Sequence, residues 1–111
     1  MSSPRIVVYA TDRPFRLQCE ARLREAGVVV RLASRQAELA KALGDGTTAA
    51  IIVGDDGRDA DVARELVDAR PATLGPPVPI LQRAPGESIE KIVARALGVT
   101  DTSMMQPRSS K

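Results

Sequence analysis

Ala49-Ala50-Ile51-Ile52-Val53-Gly54-Asp55-Asp56 is an apolar, largely β-branched run that stops at a glycine and two carboxylates. A short continuous apolar run bounded by turn residues reads as a strand buried on both faces, as in a parallel sheet covered by helices. This run decides the fold because three others resemble it, and each is followed by residues at helical spacing. In an open parallel sheet, ligands and reactions sit at the carboxyl ends of the strands. Gly54, Asp55 and Asp56 are therefore the first residues to question about chemistry.

Toward the amino terminus, Ile6-Val7-Val8-Tyr9-Ala10 is a short strand bounded by Pro4 and by the turn-prone Thr11-Asp12. From Pro14 the period changes: Phe15, Cys19, Leu23 and Ala26 fall on one helical stripe, with Arg16, Glu20, Arg22, Arg24 and Glu25 around the rest of the wheel. Asp12 is placed to cap this helix, Pro14 costs little in a first turn, and Gly27 supplies the stop. Val28 to Ala33 form the second strand. Ser34 then caps a short helix carrying Ala37, Leu39, Ala40 and Leu43 before Gly44.

Toward the carboxyl terminus, Val62, Ala63, Leu66, Val67 and Ala69 make a third helix that stops at Pro71. The fourth strand lies in Pro76-Pro77-Val78-Pro79-Ile80-Leu81, where prolines without amide hydrogens point to a strand start or a sheet edge. Ile89, Ile92, Val93, Ala96 and Leu97 give the clearest amphipathic helix, capped by Ser88 and closed by Gly98. Residues 101–107 read either as a fifth, short strand or as the start of a mobile tail, and 108–111 as a disordered tail. Strands alternating with helices imply right-handed β-α-β crossovers. The expected fold is α/β: one domain over residues 1–107, a three-layer αβα sandwich around a parallel sheet of four or five strands, flavodoxin-like.

Composition narrows the function. Sixteen basic and 14 acidic residues leave a net charge of +2 with the signs interspersed, so no phosphate-tracking groove is indicated. Phe15 and Tyr9 are the only aromatics, which argues against base stacking and hence against a nucleic-acid partner. Cys19 is alone, excluding an intramolecular disulfide, and its helical stripe makes it a small core residue; without histidine the usual soft metal sites are missing. No apolar run is long enough for a signal-peptide core or a membrane span, so a cytoplasmic protein without membrane contact is expected. Neither a dinucleotide fingerprint nor a lysine-bearing phosphate loop follows any strand, and no catalytic function is expected.

Element order and spacing, from the strand Arg5 to Ala10 through Pro14, Phe15 and Gly27 to the strand before Asp55 and the pair Gln106-Pro107, resemble the receiver domain of two-component response regulators. In that family the first strand ends in an acidic pair that holds magnesium, the third in the phosphorylated aspartate, the fourth in Ser or Thr, and the fifth in Lys-Pro. Here the acidic pair falls on Ala10 and Thr11, with Asp12 next in line and able to turn inward. The phosphoacceptor position falls on Gly54 or, with one residue absorbed before the strand, on Asp55, which is slightly favoured. The hydroxyl position falls on Arg83 or Gln82 and the lysine position on Gln106, beside a retained Pro107.

The resemblance therefore implies a degenerate receiver lacking the last helix of the family. Its expected role is a signalling or regulatory module that binds a protein partner without phosphorylation, with a homo-oligomer as one form of that partnership. No cofactor is expected, and at most weak magnesium binding, because that ion wants several oxygen ligands in octahedral array. The missing last helix would expose the sheet edge or the surface of the first helix. Bland readings stand beside these: Asp55 and Asp56 as a solvated turn leading to Gly57, and Arg83 as a surface loop residue. Pro79-Ile80-Leu81 with Ser88 to Gly98 also resembles the carboxyl end of the small F component of V-type and archaeal-type rotary ATPases. That second resemblance covers about a fifth of the chain and departs from it in the long first helix.

Overall fold

The computed structural model describes residues 5–44, 48–54, 57–69 and 78–104. Arg5–Tyr9 forms β1, Arg13–Glu25 α1, Val29–Ala33 β2, Gln36–Gly44 α2, Thr48–Val53 β3, Gly57–Asp68 α3, Ile80–Gln82 β4 and Ile89–Met104 α4. All pairings are parallel, and the strand order is β2-β1-β3-β4. The central strands β1 and β3 are the ones whose sequences are apolar on both faces. Ile6, Val7, Val8, Ile51, Ile52 and Val53 are fully enclosed, each such side chain contributing about 1.5–3 kcal/mol by leaving water.

Alternation along the strands divides the core into two halves. Ile6, Val8, Ala50 and Ile52 meet Phe15, Cys19 and Leu23 of α1 and Ile92, Val93 and Ala96 of α4 on one face. Val7, Tyr9, Ile51 and Val53 meet Leu39, Ala42 and Leu43 of α2 and Ala60, Ala63 and Val67 of α3 on the other. The three-layer αβα sandwich expected from the sequence is thus present, with a sheet of four strands among the described residues.

Helix ends show where local signals held. Asp12 caps α1, with Pro14 in its first turn, and Gly27 adopts φ +82, a conformation that glycine reaches without strain. Ala26, expected on the apolar stripe, is instead the exposed C-cap, because the chain has already left the core behind Leu23. In α2 the buried residues are Leu39, Ala42 and Leu43, while Ala37 and Ala40 are exposed; Ala69 beyond α3 is exposed too. Ser34 does not act through its oxygen as an acceptor. Its N–H and hydroxyl donate to Glu38 Oε1 at 2.7 and 3.2 Å, and these bonds hold the Glu38 carboxyl below its usual range.

Gly98 does not close the last helix. It lacks the positive φ that ends a helix, α4 runs on to Met104, and a fifth strand beginning at residue 101 is excluded. An interior glycine costs a helix only about 1 kcal/mol relative to alanine, and Val99 packs on the first half of the core beyond it. The expected tail, 108–111, and the pair Gln106-Pro107 lie outside the described residues. β4 is an edge of the described sheet, as its prolines suggested, whereas α1 is not left bare, since α4 packs on the same face and Arg22 of α1 meets Glu90 of α4 at 3.1 Å.

Candidate functional site

Register aligns the strand ends. Tyr9 pairs with Val53, and Val53 with Gln82, so the next residues along, Ala10, Gly54 and Arg83, stand abreast at the carboxyl edge of the sheet. Ala10 is 1% exposed, and a methyl group placed on Gly54 would lie 3.8 Å from Ala10 Cβ and 4.0 Å from Phe15 Cδ2. The Phe15 ring, 3% exposed, is directed here because Asp12 starts α1 immediately above the end of β1: its Oδ1 accepts from Phe15 N–H at 3.5 Å. The floor of this site is therefore apolar.

Two guanidinium groups flank that floor. Arg83 lies with Cζ 5.4 Å from the Phe15 ring centroid, a cation–π arrangement, while its N–H donates to Val53 C=O at 3.0 Å and its Nε–H to Glu87 C=O at 2.7 Å. Arg16 Nη1 donates to Ala10 C=O at 2.6 Å, closing the end of β1. Cys19, one helical turn beyond Phe15, is enclosed, and burial pushes its thiol up to about 12 against a smaller opposing pull from the Arg83 charge. It is a packing residue, as its stripe indicated.

Asp12 does not reach inward; capping Phe15 occupies its carboxylate at the surface. The carboxylate that does turn in is Asp59 of α3, 3% exposed, whose Oδ2 accepts from Thr11 N–H at 3.4 Å. Burial, and next the negative charge of Asp59, raise the Tyr9 hydroxyl above its ordinary value. Sequence reasoning missed Asp59 because an aspartate in a first helical turn is ordinarily solvated. A signal was present in its place at i, i+4 and i+8 with the buried Ala63 and Val67.

Beside Arg83, the loop from β4 to α4 is closed by Glu87, whose side chain is 10% exposed. Its Oε1 accepts from Ala84 N–H at 2.9 Å and Arg95 Nη2 at 2.8 Å, and Oε2 from Arg95 Nε at 2.9 Å. Arg95 Nη2 also donates to Gln82 C=O at 2.7 Å, tying β4 to α4. The Arg95 hydrogen bonds, then that of Ala84 N–H, hold the Glu87 carboxyl below its usual range.

Of the positions singled out in the sequence, the fold thus brings together Ala10, Thr11, Gly54 and Arg83, with Gln82 opposite Val53 and Asp12 on the rim; Asp55 and Gln106 lie outside the described residues. The described residues do not fit a magnesium site. The ends of β1 and β3 present a methyl group and a glycine, and no three His, Cys, Asp or Glu among them are grouped to hold a metal. No helix of the described residues is long and apolar enough to cross a membrane.

No protein-family model matches the sequence. No curated protein sequence matches it either. Solved structures do. A response regulator receiver protein from Sinorhizobium medicae WSM419 superposes with a TM-score of 0.60 at 18% identity, over 91% of this chain and 97% of that one. A de novo designed Rossmann 2x3 fold protein gives 0.56 at 12% identity, covering 96% and 98%. An uncharacterized protein from Neptuniibacter caesariensis gives 0.54 at 9% identity, covering 97% of each. At these identities the likeness is one of fold, and the fold of this chain is the receiver-like, Rossmann-like α/β sandwich.

Proposed function

We propose that this chain is a non-catalytic signalling or regulatory module of the cytoplasm, a pseudo-receiver that binds a protein partner through a fixed surface and without phosphorylation. A receiver-like fold supports a signalling role. The single observation that carries the finer reading is the apolar plug at the strand ends: Ala10, Gly54 and Phe15 fill the place where acidic residues would hold a divalent cation, and Arg83 lies across the ring. Phosphoryl transfer to a carboxylate depends on electrostatic stabilisation of the transferred group, generally with a metal ion bridging its oxygens. A methyl group and a phenyl ring supply none of that.

Incubation of the purified chain with acetyl phosphate and magnesium tests this reading by intact mass. No adduct is expected. A gain of one phosphoryl group that disappears in Asp55→Asn would overturn it.

A further inference from the structure

The lateral edge of the described sheet, formed by β4, carries a feature that the plugged strand ends do not explain. Ile51 N–H donates to Pro79 C=O and Arg83 N–H to Val53 C=O. In parallel pairing this turns the main-chain groups of residues 79, 81 and 83 toward β3 and those of residues 80 and 82 away from it. The outward Gln82 C=O is already taken by Arg95. Ile80 N–H, Ile80 C=O and Gln82 N–H face the outer edge, and among the described residues no strand lies beyond them.

An open cleft of about 460 Å³ adjoins this edge, lined by Gln82, residues 84–87, Lys91 and Arg95. Glu87 faces the charges of both Arg95 and Lys91, so one carboxylate against two cations leaves the cleft with a net positive charge, and Lys91 is exposed on the first turns of α4. The Glu87 and Arg83 hydrogen bonds hold the loop in place and so present the cleft preformed.

We propose that β4 is the docking edge of this module. An acidic, extended segment of a partner protein adds to β4 as a further strand, hydrogen-bonding Ile80 and Gln82 and setting a carboxylate against Lys91 in the cleft. Strand addition draws affinity from main-chain bonds and selectivity from a neighbouring pocket, and here both are present side by side. The assignment rests on the reading of the chain as a partner-binding module and names the chemistry of the partner.

The test is titration of the ¹⁵N-labelled full chain with an acetylated, amidated hexapeptide of alternating valine and glutamate, alongside one with prolines at the valine positions. Saturable downfield shifts of the Ile80 and Gln82 amide protons, with a perturbation at Lys91, are expected from the first peptide and not from the second. Lys91→Ala should weaken binding about fivefold, the range of an exposed ion pair, while the spectrum of the free variant differs only around its own position, Glu87 and Ala84. Shifts centred on β2, equal binding of the proline peptide, or no saturation would overturn the assignment. So would protection of the Ile80 and Gln82 amides in the free chain, which would mean that its own residues or a second copy already hold the edge. Failure here without a phosphoryl adduct leaves the module reading standing, whereas an adduct overturns that reading whatever the peptide does.

Discussion

Phe15 is the residue on which the reading of the strand ends rests, and truncating it gives the most decisive measurement. Its ring is 3% exposed and belongs to the core half formed by Ile6, Val8, Ala10, Cys19 and Ala50. Removal of a buried phenyl group costs about 3–5 kcal/mol, from lost transfer energy and the cavity left behind. Against a total stability on the order of 5–15 kcal/mol for a small domain, Phe15→Ala approaches the limit of folding. Phe15→Leu keeps most of the apolar volume and should cost about 1 kcal/mol, which makes it the tractable partner. Urea unfolding followed by circular dichroism, with an unchanged denaturant slope, measures both. A double-mutant cycle of Phe15→Leu with Arg83→Gln should then yield a coupling of about 0.5–1 kcal/mol, the worth of a partly exposed cation–π contact. A loss below about 1 kcal/mol for Phe15→Ala would refute the plug, since a cavity of that size cannot form so cheaply. Zero coupling would refute the role given to Arg83 alone.

Ala10→Asp should lower stability by about 1–3 kcal/mol, because it buries a polar group against Gly54 and Phe15, and its melting temperature should be the same with and without millimolar magnesium. A magnesium-dependent rise would show that the strand ends can still assemble a cation site. The Glu87–Arg95 contact should depend on pH in a defined direction. Because the folded-state value of Glu87 is lowered, the contribution of the contact is complete above the ordinary carboxylate value and is lost only as pH falls through the lowered one. The amide shift of Ala84, which bonds Glu87 directly, reports this titration, and Arg95→Gln should move its midpoint upward. A midpoint indifferent to Arg95 would remove the pair as the cause.

The strands and the helical stripes were legible because hydrophobic periodicity is a local property. Phe15, Cys19 and Leu23 share a stripe whatever they pack against, and the prolines before Ile80 exclude a fully paired central strand wherever it sits. Less was legible at helix ends. Gly98 has the identity of a stop and not the conformation of one, and only packing beyond it, as by Val99, decides between the two. At the candidate site the sequence pointed to Ala10, Thr11, Gly54 and Arg83 but passed over Asp59. In the fold the end of β1 presents the Thr11 amide to this carboxylate from across the sheet, a relation between residues 48 apart that no local pattern carries.

Side-chain chemistry and short-range spacing, both readable along the chain alone, dictate a four-fold alternation of strand and helix, an aliphatic core, and the absence of acidic residues at Ala10 and Thr11. Three further relations came from the folded arrangement and from nothing short of it. Ala10, Gly54 and Arg83 stand abreast, Phe15 closes the space between them, and α4 joins α1 on one face while β4 lies at an edge of the described sheet. Those relations depend on inter-strand register and on the side to which each crossover carries its helix. With right-handed crossovers the face each helix takes follows from the strand order, and strand order joins residues far apart in the chain, which the period of a single segment does not specify.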